Sequence, residues 1–382
     1  MPASTKKTES IRASRDFVVI FLSIDISGST AFKRSYPQNW MDVFSSFYEF
    51  AETTMKTVWN AECNSLYAEH HPSVKKALLG YQFKKLTKEP PIVWKTAGDE
   101  IIFNLPVTKP VDIWLAIGAF RRFLKAVAHF LREKVAPLKD IVTYSAEQIS
   151  NADISVKGAA WLASFPEFNL MIPLTRLIGR RVRGRNSTGG SQATGDAEGA
   201  VREIVAFAKQ PEATAGDLRE IIRKRGLTFE YLGPSIDAGF RIAKYAEVKA
   251  AAISVELAVV LLELMKEYDK RGEIPIIFER GESLKGLLPG VTKYPKIAIL
   301  LEAAPGLLPE EALSWREPLR QDDLLISLCD SLMAHKDHGA HFFAVDEVLG
   351  RTKGNQEDAG AETGEALIDG LSPLPEETRP DA

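Results

Sequence analysis

A chain of 382 residues, 45% of them hydrophobic, can bury one large core or two, and a net charge of −3 supplies no global basic field for a stable nucleic-acid partner. Cys63 and Cys329 are the only cysteines, which excludes a disulfide framework and suits a reducing cytoplasm. Residues 1–16 are polar and charged without the apolar run of an export signal, and the longest apolar stretch, near Val255 to Met265, is interrupted by Glu256 and Glu263, so no membrane span is expected.

Taken in chain order, residues 1–16 are expected to be flexible, and the apolar run from Phe17 to Ile24 reads as a buried strand with Asp25 at its end. The small loop that follows, Ser27, Gly28, Ser29 and Thr30, carries backbone N–H groups suited to cradling phosphates. Apolar residues at helical spacing predict a helix from Trp40 to Trp59. Pro91–Thr96, a turn at Ala97-Gly98 and Glu100–Leu105 read as a hairpin with Asp99 at its tip, followed by a helix over Val111–Lys134 and a strand over Ile154–Trp161. The Gly/Ser/Thr-rich segment 184–200 reads as an exposed insertion without fixed structure.

Gly226–Leu232 then reads as a strand, and Gly233-Pro234 opens a helix with proline at its first position. Ala251–Val255, Ile274–Phe278 and Ile297–Leu301 are further candidate strands. A helical extension is expected over 306–351, with a disordered acidic tail from 352 to 382. The order β-α-β-β-α-β predicts an α+β fold with a ferredoxin-like sheet and helices on one face, within a domain spanning 17–305.

If the first three strands are sheet neighbours, Asp25 and Asp99 fall side by side. Two unpaired carboxylates so placed repel unless a cation lies between them, so the pattern calls for metal. The alternative roles are ordinary ones, Asp25 as a helix cap and Asp99 as a turn residue. Other conspicuous residues read as structural. Arg176, Arg180, Arg181, Arg183 and Arg185 fit a solvated loop edge, His335, His338 and His341 a helix end, and the two cysteines packing.

FLSIDISGST at 21–30, KTAGDEIIF at 95–103 and FEYLGPSIDAGFRI at 229–242, in that order, resemble the catalytic domain of class III nucleotidyl cyclases. The resemblance implies that Asp25, Asp99 and the backbone carbonyl of Ile26 hold two Mg²⁺ or Mn²⁺ ions. Lys95 and Glu230 would read the base, Arg241 would meet charge developing on the transferring phosphate, and a homodimer would form two composite sites. At Asp237 the family often has asparagine to orient the ribose, so this residue's part is open. A lysine donor beside a glutamate acceptor fits uracil or guanine, and Glu230, one methylene longer than the aspartate common in adenylate cyclases, extends far enough for a smaller ring, which leans toward a pyrimidine.

The layout is also similar to the stand-alone pyrimidine cyclases of bacterial anti-phage Pycsar systems. That implies a cytoplasmic enzyme converting UTP to 3′,5′-cyclic UMP and pyrophosphate, the product acting on a separate effector. Cytidylate, guanylate and adenylate cyclase remain alternatives, as do a diguanylate cyclase and a degenerate nucleotide-binding regulator.

Overall fold

The computed structural model describes residues 17–68, 90–141, 154–165, 169–173, 206–207, 221, 229–268, 273–282 and 294–301. The N-terminal segment, the 184–200 insertion, the arginine cluster, the three histidines, Cys329, the 306–351 helix and the acidic tail lie outside the described residues.

The first element, β1 (Phe17–Ser27), is followed by the short α1 (Ser29–Ser35) and the long α2 (Trp40–Ala68). The hairpin β2 (Ile92–Ala97) and β3 (Glu100–Val107) leads into α3 (Pro110–Ile141) and β4 (Ser155–Phe165). A ribbon of β5 (Leu170–Pro173) and β6 (Phe229–Leu232) precedes α4 (Pro234–Ile242), a single 3₁₀ turn at Ala243–Tyr245, β7 (Ala250–Ile253) and α5 (Val255–Glu267). The last described strands are β8 (Ile276–Glu282) and β9 (Tyr294–Leu300).

The seven-stranded sheet runs β2-β3-β1-β4-β7-β9-β8. Its first four strands, with α2 between β1 and β2 and α3 between β3 and β4, make the expected βαββαβ unit, and β7, β9 and β8 extend it. β1 is the axis of that unit. It pairs antiparallel with β3 from Val18 to Asp25 and with β4 from Phe17 to Ser27. Because pairing with β4 continues to Ser27, the strand runs two residues past Asp25, which sits inside the sheet's end rather than beyond it.

Side-chain alternation assigns the two faces. Gly158 and Trp161 lie three residues apart on β4 and so point to opposite sides. A Cβ at Gly158 would come within 2.7 Å of Leu124 and 2.8 Å of Phe120, so α3 packs directly on that face. A Cβ at Gly239 would lie 2.2 Å from the Trp161 ring, so α4 covers the other. Helices therefore flank the sheet on both sides, where the four-strand pattern alone predicts one. The α2–α3 layer buries Phe47, Met55, Trp59, Phe120, Phe123 and Leu131 against Ile20, Leu22 and Ile24.

Local signals explain the helix starts. The buried Asp112 carboxylate in the first turn of α3 accepts from the backbone N–H groups of Thr108 (2.8 Å) and Lys109 (3.0 Å) and from the Thr108 hydroxyl (3.0 Å). Pro234 stands at the first position of α4, where a missing N–H costs nothing. Asn169, buried just before β5, ties this helix to the sheet. Its amide donates to the Ser164 carbonyl (2.8 Å), and its side-chain oxygen accepts from the Ser235 N–H (3.1 Å). β5 and α5 were not among the expected elements.

Candidate active site

The β2–β3 turn is tight because Gly98 takes a left-handed φ of 67°, which a side chain would disfavour. The Tyr48 hydroxyl of α2 donates to the Gly98 carbonyl, and the Ile26 N–H donates to the Asp99 carbonyl at 3.3 Å. The hairpin tip is thereby fastened to the end of β1. Asp25 and Asp99 both line one cleft of about 210 Å³, together with Ser23, Ala97, Glu100, Lys157, Phe240 and Lys244. The expected juxtaposition of the two aspartates is present.

Three charged residues in this cleft, Glu100, Lys157 and Lys244, were not picked out from the sequence. Glu100 is the register partner of Asp25 across β1–β3, and Lys157 is its partner across β1–β4. Residues opposite one another in adjacent strands share a face, so three charged side chains lie in a row across three strands. Lys157 Nζ is 3.1 Å from Asp25 Oδ2, and the Ser23 hydroxyl donates to Glu100. The available signal was the pairing register itself, which becomes readable once β4 is known to flank β1.

Burial pushes the Asp25 carboxyl above its ordinary value, the Lys157 ammonium opposes the rise, and the Asp99 charge adds to it. Glu100 is likewise raised, first by burial and then by Asp25 and Asp99, with the Ser23 hydrogen bond acting in the other direction. Since the folded chain holds the Glu100 proton more tightly than the unfolded chain, ionising this group costs stability. That contribution is fully present below the ordinary carboxylate range and is lost as pH rises through the raised value. Relative to the wild type, Glu100→Gln is therefore expected to gain thermal stability on going from about pH 4 to about pH 7 in the presence of a chelator. A gap in Tm that stays constant between the two pH values would contradict this.

Among the described residues no group of three or more His, Cys, Asp or Glu side chains is arranged to hold a metal ion by protein ligands alone. The donors present are nevertheless hard oxygens around a corner whose carboxylates repel one another and where an ammonium already lies against Asp25. They fit Mg²⁺ or Mn²⁺, which commonly take one or two carboxylates and complete their shell with water and substrate phosphate. Asp25 and Asp99 would hold such ions.

The other candidate residues lie beside this cleft. A register shift between Val93 and Lys95 turns Trp94 and Lys95 toward the α4 face. Lys95 Nζ sits 3.9 Å from the Trp94 ring centroid, 5.4 Å from that of Phe240 and 2.8 Å from Glu230 Oε1. This ion pair joins the large sheet to the β5–β6 ribbon, which is also held by the Trp94 indole N–H donating to the Phe229 carbonyl at 3.1 Å. Phe240 links the two regions, since it lines the aspartate cleft and also faces Lys95.

Arg241 is half-buried on α4, and its Nη1 is buried without a hydrogen-bond partner. Asp237, one turn earlier, is exposed and forms no ion pair with it among the described residues. Lys95, Glu230, Asp237, Arg241, Ser27, Gly28, Ser29 and Thr30 are not among the residues lining the aspartate cleft, and the expected loop over 27–30 is reduced to Gly28, because β1 runs to Ser27 and α1 already begins at Ser29. Gly28 takes φ 80° at the start of α1, and Ser29 is buried.

No protein-family model matches the chain, and no curated protein matches it. Solved structures similar to it include the adenylyl cyclase CyaB from P. aeruginosa, at 10% identity over 77% of this chain and 98% of that one, with a TM-score of 0.38. An adenylate cyclase from Trypanosoma brucei is 12% identical over 78% of this chain and 96% of that one, with a TM-score of 0.36. The guanylate cyclase domain of RhGC from Catenaria anguillulae, in complex with GTP, is 10% identical over 75% and 96%, with a TM-score of 0.35. At such identities and scores, the chemistry rests on the geometry of this chain's own residues.

Proposed function

We propose that the chain is a nucleotidyl cyclase that converts UTP to 3′,5′-cyclic UMP and pyrophosphate. The observation that carries this reading is the meeting of Asp25 and Asp99 in one cleft, locked together through the Ile26 N–H. In the reaction the ribose 3′-oxygen bonds to the α-phosphorus as its proton leaves, and the bond from that phosphorus to the bridging oxygen breaks, releasing pyrophosphate. Divalent ions, when bound, supply charge stabilisation to the attacking and leaving oxygens. The chain's part is to hold them at Asp25 and Asp99, with the Ile26 carbonyl as a further donor.

Lys95 and Glu230 are the base-reading pair. They now satisfy each other, so a base must part them, offering a carbonyl to the ammonium and an N–H to the carboxylate. Uracil does this with adjacent groups on one edge. Trp94 and Phe240 give Lys95 an aromatic bed that limits the directions in which it can donate. Arg241, with a buried and unsatisfied Nη1, is the group available to developing negative charge, and Asp237, one turn earlier on the same helix, is the acceptor for a sugar hydroxyl.

The aspartates and the Lys95, Glu230 and Arg241 set do not line one common cleft in a single chain. This favours a homodimer in which each copy completes the other's site. No helix among the described residues is long and apolar enough to cross a membrane. We assign the product a second-messenger role in anti-phage defence, acting on a separate effector in the cytoplasm. The alternatives are a cytidylate, guanylate or adenylate cyclase and a nucleotide-binding regulator without turnover.

The test is incubation of the purified chain with Mn²⁺ and each of ATP, GTP, CTP and UTP, with products identified by mass. Cyclic UMP as the dominant product supports the proposal. Clear preference for another nucleotide reassigns the base, and no cyclic product from any of the four favours the regulator.

A further inference from the structure

We propose that Lys157 is the built-in counter-cation of the Asp25–Asp99 corner, and that a divalent ion enters by displacing its ammonium group from Asp25. The inference rests on the reading that this corner takes a divalent ion, and adds what determines how tightly the free chain does so.

Backbone register places Lys157 directly opposite Asp25, so their 3.1 Å contact is set by the sheet and not by a chance rotamer on a loop. Both side chains are about one-third exposed, at 31% and 32%, which leaves Lys157 room to swing away from the carboxylate. Other charged groups lining the cleft are Asp99, Glu100 and Lys244. Glu100 is engaged by Ser23, and Lys157 is the residue that bridges to Asp25.

An ammonium 3.1 Å from Asp25 Oδ2 occupies the approach that an incoming ion needs. Two cations sharing one carboxylate would also repel, and a doubly charged ion doubles that repulsion. Entry of the ion therefore requires Lys157 to leave. Its departure is inexpensive because a partly exposed ion pair contributes little net free energy. Lys157 thus weakens ion uptake by the free chain without blocking it, and offsets part of the repulsion that Asp25 feels from Asp99 while no ion is bound.

The experiment measures Mn²⁺ binding to the full chain, without nucleotide, by electron paramagnetic resonance of the free ion. Lys157→Met is expected to bind Mn²⁺ more tightly than the wild type, by up to about fivefold. Lys157→Arg, which keeps the charge, should stay close to the wild type, and adding Asp25→Asn to Lys157→Met should remove the gain. Unchanged or weaker binding by Lys157→Met overturns the proposal.

Should that variant fail to fold, the wild type supplies its own measurement. Saturating Mg²⁺ should increase acylation of Lys157 by an amine-reactive reagent, read by peptide mass, and an unchanged extent would equally overturn the proposal. Neither readout uses turnover. Tighter Mn²⁺ binding by Lys157→Met in a chain that makes no cyclic product refutes the enzyme reading alone. Cyclic product with Mn²⁺ uptake indifferent to residue 157 refutes the counter-cation alone.

Discussion

Asp25→Asn is expected to lower the turnover of cyclic nucleotide by at least about 10²–10³-fold, while the chain stays folded and still takes up nucleotide. The expectation follows from position. Asp25 faces Asp99 across a joint fixed by the Ile26 N–H, and an amide at this site loses the charge a hard cation requires. Unfolding does not explain such a loss, because the Asp25–Lys157 pair is one-third exposed and contributes only about 0–1 kcal/mol. Burial already raises the Asp25 carboxyl, so removing its charge relieves a cost. Turnover by Asp25→Asn within tenfold of the wild type, measured by product mass, would refute the assignment. Nucleotide binding that survives in the variant while turnover vanishes separates an enzyme from a binder.

Arg241→Ala is expected to cost about 10²–10³-fold in kcat with a smaller change in KM, the pattern of a group that acts chiefly in the transition state. A helical pair between Asp237 and Arg241 would be worth about 0.2–0.5 kcal/mol, and its loss would be nearly silent. The structure shows no such pair, and Nη1 of Arg241 is buried without a partner. A donor left unsatisfied in this way is costly unless something arrives to use it. Steady-state kinetics on Arg241→Ala and Arg241→Lys decide the matter. Equal loss in kcat for both points to the guanidinium's fixed fork, whereas kcat near wild type in Arg241→Ala removes Arg241 from the chemistry.

Much of this arrangement was legible because its signals are local. The apolar run before Asp25, broken by Ser23 alone, marks a strand buried on both faces, and Ala97-Gly98 marks the turn that lifts Asp99 to the hairpin tip. Glycine and proline at 233 and 234 announce the start of α4. The less legible features depend on contacts between distant segments. Lys157 meets Asp25 only through the β1–β4 register, and nothing within either strand's own sequence reports it. α5 was missed because Val255–Met265, apart from Glu256 and Glu263, is apolar, and a helix buried on nearly all sides has little amphipathic period to detect. β5 owes its existence to pairing with β6, more than 50 residues later in the chain, and a four-residue strand offers too short a pattern to recognise. Placement of α4 on the second face follows from Gly239 fitting against Trp161, a close approach that only the folded chain reveals.

The parallel join between β4 and β7 gives the sheet a seam. On one side lies the antiparallel four-strand block β2, β3, β1 and β4, and on the other the antiparallel trio β7, β9 and β8. Just two residue pairs, Ala159 with Ala252 and Ala160 with Ile253, are in register across the line, extended by the Ser254 N–H on the Ala160 carbonyl at 3.1 Å. Backbone bonding at this seam is sparse beside the eleven-pair ladder of β1 and β4. Cohesion between the halves therefore comes from side-chain burial, with α5 spanning the line as a rivet whose apolar surface is hidden on both sides. Under mechanical load such a plate parts along its seam, and the aspartate corner, which sits on the β2–β3–β1–β4 half, would come away intact on one piece.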